Sequence, residues 1–424
     1  MSRGVFAGGS GAAREASLNR LVYENMRRFL GNNPSYSQTI IMLHRALFTC
    51  IAVASPALVV AASSVPMEVK TIAYKGWLPY VESGDARRDA RINHRIFLDM
   101  AEQPAPARYS DGIRKPKEQD GLQGSSDFNF EVLRNDDSVL AIEVDAEGCG
   151  AYCEHYSRLY NFDAATGRLI SASDIFAPAG GVTLQKKNLA ERMAEYNRAI
   201  ADLGKEAVAN RQKKGIATPW PQPWPEGKQD AEEGYIKSAI GMYEYCLESM
   251  RSPDYGKYYR WADTPLKIED GSVTFLYERC SNHASRALDD VGDQAVTYRI
   301  ENLAPYLTAY GKYLLMRGPQ AAPQAEPYRQ VLQGRVGQAA ITLLLSERYG
   351  DGSLSGTYFY GKYRKPIALS GKVNGNVIEL TEYEGSDTPN PLIRATIKGD
   401  TLEGQWIGGN KTLDFRGACQ EFCV

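Results

Sequence analysis

The stretch Arg317-Gly-Pro-Gln-Ala-Ala-Pro-Gln-Ala-Glu-Pro327 divides the chain into two parts that cannot share one architecture. Prolines 319, 323 and 327 remove backbone donors and bias the residues before them toward extended conformations, so the segment suits a semi-extended spacer. Upstream of it, strand and helix periodicities both occur; downstream, only the strand period recurs. The pattern predicts an α+β domain over residues 63–316, with an antiparallel sheet packed by helices. A Pro/Ala linker over 317–337 and a small all-β meander or barrel over 338–424 follow. The 424 residues suffice for two packed cores.

In the upstream part, Glu68–Tyr74 reads as a strand and Ala86–Leu98 as a partly exposed helix or extended connector. Pro104–Ser126, rich in Pro, Gly and charge, reads as a loop. Period-two alternation through Phe128, Phe130 and Val132, through Leu140, Ile142 and Val144, and through Leu159 to Phe162 predicts half-buried strands. Leu184, Leu189, Met193, Tyr196, Ile200 and Leu203 place an apolar stripe on a long helix, and a second helix covers about 231–250. Asp270-Gly271, between Leu266–Ile268 and Val273–Tyr277, signals a hairpin. Downstream, seven short strands from Ile341 to Phe415 alternate with turns such as Asn374-Gly375, as in a meander or barrel. The phrases Leu354-Ser-Gly-Thr-Tyr358, Leu369-Ser-Gly-Lys-Val373 and Leu402-Glu-Gly-Gln-Trp406 repeat within them.

The apolar run Leu47–Ala62, preceded by His44-Arg45 and followed by Ser63-Ser64, has the form of a signal-peptide core over 42–62. A spanning helix needs about 20 apolar residues, and this run is shorter and holds Pro56. The expectation is therefore cleavage and a periplasmic or secreted product, with residues 1–41 an upstream extension. An uncleaved anchor is the alternative, and only then does the membrane become a partner. Removing Cys50 with the signal leaves Cys149, Cys153, Cys246, Cys280, Cys419 and Cys423, an even set that suits disulfides in an oxidising compartment. Pairing of sequence neighbours is the simplest of many connectivities. The three-residue gap in Cys149–Cys153 and in Cys419–Cys423 departs from zinc-knuckle spacing, so no metal is expected.

Motifs for chemistry are sparse. No Gly-x-Ser-x-Gly, P-loop or His-Glu-x-x-His occurs, and the adjacent Glu154-His155 is a weak acid-base candidate. No catalytic residue and no cofactor is assigned. A net charge of −2 gives no reason to expect a nucleic-acid partner. Thr218-Pro-Trp-Pro-Gln-Pro-Trp-Pro225 is the exception to this blandness: Trp220 and Trp224 on an extended, proline-held backbone are candidate ligand-binding residues, unless they clamp the segment to its own domain. The cluster Tyr243, Tyr245, Tyr255, Tyr258, Tyr259 and Trp261 reads as core.

The order strand, Cys loop, Tyr156–Phe176 with its Phe162-Asp-Ala-Ala-Thr-Gly167 turn, long helix, Leu266–Phe275 hairpin and Ile300–Tyr306 resembles an extracytoplasmic α+β domain of unknown function. That domain occurs in lysozyme-sensing anti-sigma factors and beside the catalytic domain of some peptidoglycan deacetylases. The resemblance covers roughly residues 127–315. It implies an exported, non-enzymatic recognition protein with a lysozyme-like protein or cell-wall polysaccharide as partner. Residues 284–296 show no clear continuation of the family's final hairpin, no deacetylase domain is present, and no contact residue carries over. The alternatives are a wall-active hydrolase or esterase and a membrane-anchored envelope sensor.

Overall fold

The computed structural model of the protein describes residues 66–113, 124–149, 153–223, 230–346, 348–383 and 390–418. Residues 1–41, the apolar run Leu47–Ala62, Trp224, Cys419 and Cys423 lie outside the described residues.

The chain enters through a hairpin of β1 (Glu68–Ala73) and β2 (Trp77–Glu82), followed by α1 (Ala86–Met100). Asp85 caps α1 by accepting from the amides of Arg87 and Arg88 at 3.0 and 3.1 Å, satisfying two donors that the first turn leaves open. The sequence left this segment between helix and connector. It is a helix whose inner face, Ile92, Ile96 and Phe97, is fully buried. The Asn93 amide exchanges two 2.8 Å hydrogen bonds with the Val81 backbone and so ties α1 to β2.

A meander of β3 (Gly124–Asn135), β4 (Val139–Cys149) and β5 (Cys153–Asp163) forms the central sheet. Its inner half is covered on both faces because β4 is apolar at consecutive positions. Leu140, Ile142 and Val144 point toward α1 and β2, while Val139 and Ala141 point into a second core with Phe176, Leu184, Ile268 and Phe275. The 36-residue α2 (Pro178–Lys213), about 54 Å long at 1.5 Å per residue, packs its first turns on this second core. Its later turns pair with α3 (Ala231–Arg251) around Tyr196, Tyr243, Leu247 and Met250.

A second meander follows: β6 (Leu266–Glu269), β7 (Ser272–Tyr277) and β8 (Gln294–Arg299). Gly271 turns the first hairpin at φ +86°, a conformation that side chains resist. The β8 strand supplies the continuation not recognisable in residues 284–296, where a 3₁₀ segment, His283–Leu288, intervenes. The short α4 (Ala309–Met316) closes this part, and residues 320–327 run on without regular structure.

Strands β9 (Val331–Val336), β10 (Ala339–Leu345), β11 (Ser353–Tyr360), β12 (Ile367–Asn374), β13 (Val377–Tyr383), β14 (Leu392–Lys398), β15 (Thr401–Gly408) and β16 (Lys411–Ala418) form a closed antiparallel barrel. The barrel starts earlier than the sequence reading had it. Val331–Val336 lies inside the stretch read as linker, and it closes the barrel by pairing with both β10 and β16. The repeated Leu-x-Gly phrases have a structural meaning here. Leu354, Leu369 and Leu402 face the interior, and the glycines of β12 and β15 sit where strands press together: a Cβ on Gly371 would fall 1.8 Å from the Glu379 carbonyl oxygen, and one on Gly404 2.0 Å from that of Arg394.

Candidate functional site

The outer half of β5, residues 153–158, stands clear of the core and is exposed or half-buried, whereas residues 160–163 are buried. Beyond the core it forms one wall of an open cleft of about 840 Å³. Helix α2, the outer ends of β7 and β8, and the segment around Tyr255–Thr264 form the others. The helix lines the cleft with Gln185, Leu189 and Arg192, and Arg192 also belongs to a buried ladder at intervals of four, Leu184, Asn188, Arg192 and Tyr196. Two members of this ladder are polar.

Arg192 is 5% exposed. Its Nε donates to Gln294 Oε1 at 2.9 Å, its Nη1 donates to the Tyr255 hydroxyl at 2.6 Å, and its guanidinium carbon lies 4.3 Å from the centre of the Tyr277 ring. Asn188 extends the network, donating from Nδ2 to the Tyr277 hydroxyl and accepting at Oδ1 from the Tyr298 hydroxyl, each at 2.7 Å. Burial pushes the Tyr277 phenol up to about 12 and raises that of Tyr298, so both remain protonated donors at neutral pH. At the rim, acids meet bases: Glu143 with Lys267 at 2.9 Å, Asp293 with Arg279 at 3.2 Å, Glu154 with Arg286 at 3.3 Å, and Asp263 with both Arg260 and Arg329. Glu278 is exposed on the same rim. Arg158 lies over the Tyr156 ring at 5.7 Å.

The tyrosine cluster divides between core and cleft. Tyr243 is buried, lies tilted against Tyr196 with ring centres 5.4 Å apart and accepts from the amides of Asp290 and Val291. Tyr245 is 68% exposed on the surface, so reading the whole cluster as core was too broad. Tyr255 and Tyr259 stack on each other in the cleft with ring centres 4.6 Å apart, and Tyr259 is 60% exposed. Trp261 packs on the first turn of α2, where a Cβ on Gly181 would meet its ring at 2.3 Å.

Trp220 is not in the cleft. It is half-buried beside the distal end of the α2–α3 pair, with the Arg211 guanidinium carbon 5.8 Å and Lys237 Nζ 5.5 Å from its ring. Arg211 lies 19 residues beyond Arg192 on the same helix, roughly 30 Å along its axis. Glu154 and His155 both border the cleft, but Glu154 is engaged by Arg286, and His155 Nε2 is 3.9 Å from Glu147. Two of the expected disulfides are formed, Cys149–Cys153 at the tip of the β4–β5 hairpin and Cys246–Cys280 between α3 and the segment that follows β7. Glu147, Cys149 and Cys153 cluster closely enough to suggest a metal site, but the two sulfurs are spent on each other. Sequence reasoning missed Asn188, Arg192 and Gln294. The signal it passed over is polar residues at positions 188 and 192, four and eight residues along from the buried Leu184.

Among the described residues no helix is long and apolar enough to cross a membrane. No protein-family model matches the chain, and no curated protein matches it. It is similar to the crystal structure of a DUF3298 family protein from Pseudomonas aeruginosa PAO1, at 14% identity and a TM-score of 0.31, covering 59% of this chain and 98% of that one. It is also similar to that of a DUF3298 family member from Bacteroides fragilis NCTC 9343, at 13% identity and a TM-score of 0.32, covering 60% and 98%.

Proposed function

We propose that the protein is an exported recognition protein of the cell envelope that holds cell-wall glycan in the cleft and does not cleave it. The observation that carries this reading is the stacked Tyr255–Tyr259 pair on an open cleft, with guanidinium and amide donors beside it. Sugar rings offer a C–H face to an aromatic ring and hydroxyls to surrounding donors, so this combination suits a glycan better than a compact apolar ligand. Export is supported by the two disulfides, which persist in oxidising compartments.

Binding without turnover is in keeping with the engagement of three polar groups of the cleft. Ser157 donates to Asp145 at 2.5 Å. Two carboxylates of the rim, Glu143 and Asp293, are held in ion pairs.

The test is co-sedimentation of the full chain with purified peptidoglycan, with chitin and immobilised lysozyme as comparison ligands. Retention on peptidoglycan without release of new reducing ends is expected. Tyr259→Ala should weaken it by roughly three- to tenfold, the worth of one aromatic face. Failure to retain the wild type on peptidoglycan, or equal retention of Tyr259→Ala, refutes the reading, and retention on lysozyme alone transfers it to a protein ligand. Sequencing the amino terminus of the protein from its host decides whether Leu47–Ala62 is removed.

A further inference from the structure

We propose that the floor of the cleft is an oxyanion subsite, where Arg192 Nη2 and the hydroxyl of Tyr255 receive a carboxylate or phosphate group of the ligand. The proposal rests on the cleft being the ligand site and adds the chemical class of what enters it. Its basis is an imbalance of charge and of donors.

Arg192 is a buried cation, and among the described residues no carboxylate forms an ion pair with it. Its partners are the Gln294 amide, the Tyr255 hydroxyl and the face of Tyr277, all neutral. A buried guanidinium ordinarily has a counter-ion, because desolvating it without one is costly, and a ring face compensates only in part. The one nearby carboxylate in this network, Glu195, accepts instead from Gln294 Nε2 at 2.9 Å. Holding α2 to β8 and to Tyr255 uses Nε and Nη1, and Nη2 makes no hydrogen bond among the described residues.

The hydroxyls continue the surplus. Tyr255 accepts from Arg192, and among the described residues its own hydrogen is not donated to any acceptor. Tyr277 accepts from Asn188 and is in the same state, with burial keeping it protonated. An independent observation comes from Ser281, which borders the same cleft, is 9% exposed, and has a buried Oγ without a hydrogen-bond partner. Donors that converge on one cleft and lack acceptors there call for an acceptor from outside. An oxyanion supplies both the lone pairs and the missing negative charge.

The experiment is calorimetric titration of the full chain with sodium acetate and with inorganic phosphate at constant ionic strength, comparing wild type, Arg192→Gln and Tyr255→Phe. Wild type should bind at least one of the two, and the tighter one identifies the source as carboxylate or phosphate. Arg192→Gln should weaken binding about tenfold or more, as loss of one charge-assisted hydrogen bond does. Tyr255→Phe keeps the guanidinium and the ring, so it decides the matter if Arg192→Gln does not fold, and a severalfold loss is expected. Wild type that binds neither anion, or folded variants that bind as wild type does, overturns the subsite. The two proposals fail separately: peptidoglycan retention unchanged in Arg192→Gln leaves the glycan reading standing without the subsite. Anion binding by a protein that ignores peptidoglycan leaves the subsite standing without the glycan.

Discussion

His94 lies where α1 meets the barrel, its ring edge-on to Phe359 with centres 5.2 Å apart, and its Nδ1 accepts from the Ala105 amide at 3.1 Å. Burial, reinforced by the positive charge of Arg364, pushes its pKa down to about 3. An unfolded histidine takes its proton near pH ~6.5, so the stability that neutral His94 contributes is fully present above that pH and is lost progressively as pH falls toward about 3. Urea unfolding at pH 7.5 and pH 5 should show wild type losing more stability on acidification than His94→Gln, which keeps an acceptor for Ala105 but does not titrate; equal losses would remove His94 from the account. A second residue-scale test concerns Arg211 and Glu233, 2% and 3% exposed, joined by hydrogen bonds of 2.7 and 2.5 Å. Arg211 also donates to the carbonyls of Thr218 and Gln222, so the pair anchors the segment that carries Trp220. Glu233→Gln leaves the cation buried and should cost about 3 kcal/mol in urea unfolding, toward the low end for a broken buried pair because Lys237 also lies 3.0 Å from Glu233. The polar residues on the buried face of α2 were illegible at this scale: Asn188, Arg192 and Arg211 are of types that usually mark a solvated face, and only tertiary partners distant in sequence, such as Gln294, make their burial tolerable.

Among the elements, those that announce themselves by local pattern were readable. The β12–β13 hairpin turns at Gly375–Asn376, one residue on from the Asn374-Gly375 pair that signalled it, with Gly375 at φ +59°, and α2 and α3 follow their helical periods. Strand β2 was missed because Pro79 argues against a strand. It is tolerated because β2 pairs through β1 alone and leaves its other side free of a ladder. Strand β9 was missed because the prolines before it masked its short alternation, and its pairing with β16 comes from the far end of the domain. The α2–α3 pair carries its own small core and is fastened to the rest by Cys246–Cys280, a bridge of sequence separation 34. On the chain-entropy account a loop of that length stabilises by about 4 kcal/mol, and the four-residue Cys149–Cys153 loop by about 2. Replacing both members of each pair by Ala should therefore lower the urea midpoint more for Cys246/Cys280 than for Cys149/Cys153. The reverse order would mean that the hairpin tip matters more to the fold than the helical pair.

For the whole molecule, the decisive question is whether the barrel and the α+β part unfold together. The barrel is closed and has a complete interior of its own, including Leu332, Leu343, Ile378, Leu380 and Phe415, so it has no need of its neighbour to satisfy a sheet edge. Its contact with the rest is narrow. Leu98 of α1 packs on Val331, Leu344 and Phe359 on the barrel's outer wall. Around this cluster Arg95 donates to the Arg329 carbonyl at 2.9 Å, Arg364 donates to the Ala105 carbonyl, and the Gln330 amide brackets the Leu169 backbone with two bonds of 3.1 Å. The polar ties depend on the apolar cluster to hold their geometry. Leu98→Asp places a carboxylate among the apolar side chains of Phe359, Leu344 and Val331, and its desolvation should exceed what the narrow interface supplies even with Arg364 5.8 Å from the Phe359 ring centre. Scanning calorimetry should show wild type melting in one transition and Leu98→Asp in two, the barrel transition being the one that survives in a fragment of residues 328–424. Trypsin should then cut the variant preferentially at Arg317, at the head of the irregular segment. A single transition in Leu98→Asp, shifted as a whole, would instead mean that the polar ties alone couple the two parts, and the spacer that separates their sequences would not separate their stability.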